Sequence, residues 1–75
     1  MTTKDKKIIE DSERDGIPIF VLTAKDRLSP DTIRDYFTLC HASHCNIDHL
    51  KNILDRTKEF ENWQKGNTNK VKLPD

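Results

Sequence analysis

The run Ile17-Pro18-Ile19-Phe20-Val21-Leu22-Thr23-Ala24 stands between Gly16 and the charged triplet Lys25-Asp26-Arg27. Its Ile, Phe and Val content is that of a β-strand, and every other periodic stretch of the chain reads as helix. Side chains alternate along a strand, so Ile17, Ile19, Val21 and Thr23 share one face while Pro18, Phe20, Leu22 and Ala24 share the other. Both faces are apolar, the pattern of a strand covered on both sides. A lone strand leaves its N–H and C=O groups without a partner row. The expectation is therefore a strand that pairs with its copy across a two-fold axis, giving a homodimer or a higher even oligomer. Pro18, which lacks a donor, is tolerated at a strand start or on an edge. One internal rival exists. Val71 and Leu73 alternate in the polar tail 67–75, so a short strand at 70–73 could pair with residues 19–23.

On either side of this run the signals are helical. Residues 2–15 predict a weak helix with Thr3 as a cap and Gly16 as a left-handed C′ residue. Ile8 and Ile9 are its only isoleucines, worth about 1.5–3 kcal/mol each if fully buried, so residues 1–15 also read as a flexible arm. Ser29-Pro30-Asp31 is a helix start: Ser29 suits the N-cap, Pro30 suits N1, and Asp31 favours the positive end of the dipole. Ile33, Tyr36, Phe37, Cys40 and His44 then form one stripe, with the helix ending near Ser43. Asn46 is an N-cap for a last helix that runs to about Lys65, with Gly66 as C′. Ile47, Leu50, Ile53, Leu54, Phe60 and Trp63 make its stripe, about 30 Å long at about 1.5 Å per residue.

Together these elements predict an α+β fold in one small domain over residues 1–75: a weak N-terminal helix, one strand and an antiparallel αα-hairpin. The expected core is Ile33, Tyr36, Phe37, Leu50, Ile53, Leu54 and Phe60. The expected interface is Ile19, Phe20, Val21 and Leu22, with Trp63 as a further anchor at a helix end. A chain of 75 residues buries only about 60% of the surface its unfolded form exposes, so an addition such as oligomerisation is in order.

Charge excludes several roles. Lys plus Arg and Asp plus Glu both number 13, so the formal net charge is zero. A dedicated nucleic-acid binder carries a basic excess, and a polybasic membrane anchor does too. The last helix would offer Asp48, Asp55, Glu59 and Glu61 to phosphates beside its cations, which disfavours a helix-turn-helix reading. No apolar run approaches the ~20 residues of a membrane span, and Met1-Thr2-Thr3-Lys4-Asp5-Lys6-Lys7 lacks the apolar core of a signal peptide. A cytoplasmic chain with reduced thiols is expected, and Cys40–Cys45 is the one pair available for a bridge.

Both cysteines and all three histidines fall in Cys40-His41-Ala42-Ser43-His44-Cys45-Asn46-Ile47-Asp48-His49. Cys40, His44, Cys45 and His49 are the runner-up metal ligands, as a Cys2His2 zinc set. Their spacing matches no standard finger, and adjacent His44 and Cys45 tend to diverge, so the expectation is no metal and no cofactor. The chain has no Gly-rich phosphate loop, no G-x-S-x-G and no Cys-x-x-Cys, and it is not expected to be an enzyme. Lys25, Arg27 and Arg34 are the groups for an alternative reading, a nucleotide-type signal held at an oligomer interface.

Pro18-Ile19-Phe20-Val21-Leu22-Thr23-Ala24-Lys25-Asp26-Arg27-Leu28-Ser29-Pro30, followed by Ile33-Arg34, resembles a pattern of small phage and prophage proteins, P-(I/V)-F-V-L-x-A-x-D-x-L-(A/S)-P. Phe60-Glu61-Asn62-Trp63-Gln64 and the ending Leu73-Pro74-Asp75 resemble it too, whereas the Cys/His corner lies outside it. The resemblance carries no activity. It implies a phage setting and a bacterial cytoplasm. The function expected is a non-enzymatic, homo-oligomeric interaction protein for a host or phage protein.

Overall fold

A computed structural model describes residues 2–74. Three helices follow one another: α1 (Thr3–Asp15), α2 (Ser29–Ala42) and α3 (Ile47–Gly66). Among the described residues there is no strand, so the fold is small and all-α. This overturns the α+β expectation. Residues 17–24 carry the composition of a strand, but a strand is a property of two chain segments, and no second segment runs beside this one. Among the described residues, no hydrogen bond reaches the main chain of residues 18–22. The tail touches the linker at one point, a parallel bridge between Asp26 and Lys72, and does not pair with residues 19–23.

Local chemistry sets the helix ends. Thr2, one residue before the predicted cap, accepts a hydrogen bond from the Asp5 amide. Gly16 closes α1 in the left-handed region at φ 67°, where a Cβ would be strained. Asn46 caps α3 by accepting from the Asp48 amide, as its sequence position predicts. Gly66, by contrast, is the last residue of α3, and Asn67 caps it with φ −137°. Ser29 is not the N-cap of α2 but its first residue, and it is fully buried.

α2 and α3 pack against each other as a hairpin, and no Cα of α1 comes within 8 Å of either helix. An Arg56–Asp5 ion pair at 3.5 Å joins α1 to α3. Cys40, Ile53 and Pro30 are buried apolar side chains, and the Thr57 hydroxyl bonds back to the Ile53 carbonyl at 2.9 Å. Ile33, Phe37, Leu50 and Phe60 are half-buried. Tyr36 and Leu54, expected in the core, are exposed because each lies toward the edge of its helix stripe. Arg34 pairs with Glu61 across the hairpin, so Glu61 does not form the ion pair with Lys65 that its i, i+4 spacing allows.

The accessible surface is 6289 Å², against about 4,800 Å² expected for a folded monomer of 8.8 kDa. The radius of gyration, 13.8 Å, likewise exceeds the ~11 Å of a compact chain this long. This chain alone leaves an unusual share of itself in water.

Candidate functional site

The linker between α1 and α2 is built on Asp26. Its amide donates to the Thr23 carbonyl, and its side chain accepts from the Leu28 amide at 2.8 Å. Its carbonyl receives the Ser29 amide, the Ser29 hydroxyl at 2.7 Å and Gln64 Nε2 at 3.0 Å. Gln64 Nε2 also donates to the Ala24 carbonyl at 3.0 Å, so one α3 side chain holds the turn by two carbonyls. The Arg27 amide donates to the Lys72 carbonyl and the Lys72 amide to the Lys25 carbonyl, which fastens the tail to the same turn. In the sequence Asp26 stands out only as part of the charged triplet, and nothing there gives Gln64 a role in the turn. Gln64's partners are main-chain carbonyls 38 and 40 positions away, a relation that no local pattern carries.

Upstream of this junction the apolar segment projects unsupported. Phe20 is 84% exposed and Val21 68%, with Ile17 and Ile19 about half exposed and Leu22 half-buried. Of the expected interface residues, Ile19, Phe20 and Val21 therefore lie open on one segment. Trp63 is half-buried on α3. An open hollow of about 350 Å³ lies between residues 20–23 and the tail, lined by Phe20, Val21, Leu22, Leu73 and Pro74 with Lys25 at its side. A second open hollow, of about 570 Å³, includes Arg27 and Arg34. The three cations of the nucleotide reading are thus divided between two hollows. Arg34 is moreover neutralised by Glu61 and by Asp31, the latter at 3.6 Å.

The Cys/His corner joins α2 to α3. His44 takes the left-handed conformation at φ 58°, and its amide donates to the His41 carbonyl while the Cys45 amide donates to the Cys40 carbonyl. This pair of bonds is a Schellman ending. His49 meets Tyr36, edge to face with ring centroids 6.0 Å apart, and His41 stacks on Phe37. His44 is exposed. Among the described residues no three metal-ligating side chains converge, so Cys40, His44, Cys45 and His49 do not form a four-ligand site. Burial and the Cys40 thiol push the Cys45 thiol above its ordinary pKa. A hydrogen bond to Cys40, followed by its charge, raises Tyr36.

Among the described residues no helix is long and apolar enough to cross a membrane. No family model matches the chain, no curated protein matches it, and no solved structure matches it.

Proposed function

We propose that this chain is a non-enzymatic interaction module that completes its fold by self-association. The observation that carries this reading is the surplus of exposed surface together with the open Ile17–Val21 segment. The surplus, about 1,500 Å² over a compact monomer, exceeds the ~800 Å² that each partner gives to a standard interface. A second copy is the occupant this reading takes, and the charge does not oppose it. At zero net charge the copies do not repel one another as they meet. The helices keep their places, and the apolar side chains of the segment are what the second copy covers. The resemblance to phage proteins supports a bacterial cytoplasm as the setting, with a host or phage protein as what the assembled module binds.

The test is light scattering over a wide concentration range on the full chain and on Phe20→Asp. The parent is expected at a multiple of 8.8 kDa and the variant at lower mass, with the parent's melting temperature rising with protein concentration. A parent that stays monomeric throughout and melts cooperatively at a fixed temperature overturns the proposal.

A further inference from the structure

The geometry points to Cys40 and Cys45 as a disulfide-forming dithiol that bridges the corner between α2 and α3. A Schellman ending brings the side chain at C3 against the side chain at C″, a contact that is apolar in most proteins. Here C3 is Cys40 and C″ is Cys45, tied by the Cys45 N–H donating to the Cys40 carbonyl at 3.0 Å. The left-handed His44 makes the approach, at φ 58°. Cys40 is among the groups that raise the Cys45 thiol, as expected of two side chains brought together by this turn. Both cysteines are free. They differ in access: Cys45 is half-buried and Cys40 is 6% exposed. An oxidant therefore meets Cys45 first, and Cys40 is placed to resolve what forms there.

The reaction with a small disulfide such as oxidised glutathione balances as follows. The Cys45 thiolate attacks one sulfur, forming a mixed disulfide and expelling one glutathione thiolate, which takes up a proton. The Cys40 thiolate then attacks the Cys45 sulfur, forming the intramolecular bond and expelling the second glutathione. Two protein thiols are oxidised and one glutathione disulfide is reduced to two thiols. The first step is slow at neutral pH and quickens in alkali, since the Cys45 thiol resists ionisation. The bond closes a ring that the folded corner has already drawn together, so the folded chain favours it more than the unfolded chain does.

The experiment equilibrates the full, unmodified chain with reduced and oxidised glutathione, once in native buffer and once in denaturing urea. Intact mass is read after acid quench, and the Asp35–Lys51 tryptic peptide is read for the bridge. The expected result is loss of two hydrogens in that peptide, with an equilibrium constant at least about tenfold larger in the native chain. A persistent glutathione adduct at Cys45 in the native chain overturns the inference. So does an intermolecular disulfide as the main product, or a constant no larger than in urea. None of these outcomes depends on self-association through the Ile17–Val21 segment, so the two proposals fail separately.

Discussion

Replacing Gln64 tests the junction on which the linker, the tail and α2 all depend. Its Nε2 donates to the Ala24 and Asp26 carbonyls, both at 3.0 Å and both part-buried. A neutral hydrogen bond contributes about 0.5–1.5 kcal/mol net, so the pair sets a range of about 1–3 kcal/mol. The Asp26 carbonyl keeps the Ser29 amide and hydroxyl as donors, so the loss falls mainly on Ala24. Gln64→Ala is therefore expected to cost about 1–2 kcal/mol. A domain of this length has roughly 4–11 kcal/mol in total, and the melting temperature should fall by about 5–15 °C. Urea unfolding followed by circular dichroism, at one fixed protein concentration, measures the cost. Hydrogen exchange at the Arg27 and Lys72 amides shows where it falls, because both amides belong to the fastening that Gln64 backs. Gln64→Glu separates donation from shape. A carboxylate there faces two carbonyl oxygens with no proton to offer, so folding disfavours its charged form and lifts its pKa above the unfolded value of about 4.3. Its stability is then greatest below that value and is lost as pH rises through the folded pKa. A Gln64→Ala chain within about 0.3 kcal/mol of the parent, against the 1–2 kcal/mol expected, with both amides unchanged in exchange, refutes the reasoning.

Three further expectations concern other parts of the chain. Ile53 is 6% exposed, so Ile53→Ala should cost about 2–5 kcal/mol and abolish a cooperative melt, while Ile53→Val should lose about 0.5–1.5 kcal/mol and keep it. At Gly16 a Cβ meets nothing within 4 Å but the φ of 67° is unfavourable to any other residue, so Gly16→Ala should lower stability by about 1 kcal/mol in urea titration, from backbone strain alone. The Cys45 thiol is held above its ordinary pKa, so its alkylation by iodoacetamide in native buffer should run slower at neutral pH than that of free cysteine and keep rising in alkali; a plateau at or below the free-thiol value, read by peptide mass, contradicts the burial argument.

The parts of this architecture that are local were legible in the sequence, and the parts that are relations between distant segments were not. Asn46, Gly16 and the α3 stripe announce themselves because their partners lie within a few residues. Ser29 shows the limit of such reading. Ser-Pro-Asp is a helix start by composition, and α2 does begin there. Yet the hydroxyl turns back to the Asp26 carbonyl instead of capping forward, because Asp26 has already organised the preceding turn. Residues 17–24 show a larger limit. Their composition is that of a strand, but composition supplies only half of a ladder, and the tail meets the linker at Asp26 rather than at Phe20. At the corner, the left-handed His44 carries no glycine to mark it, so the approach of Cys45 to Cys40 was hidden although both residues stood out.

The same accounting explains why an all-α chain still exposes so much apolar surface. Two helices in a hairpin can cover one stripe each, and that stripe is spent between α2 and α3 around Ile53 and Cys40. α1 stands away from them, tied by an exposed ion pair of a kind worth no more than about 1 kcal/mol. Nothing among the described residues covers Phe20 and Val21, and the Asp26 junction fixes the far end of their segment at the hairpin's edge. A segment held at the Asp26 junction and unladdered in its middle keeps its apolar side chains open to a second surface. On the self-association proposed above, the surplus area is half of an interface and not a poorly packed core.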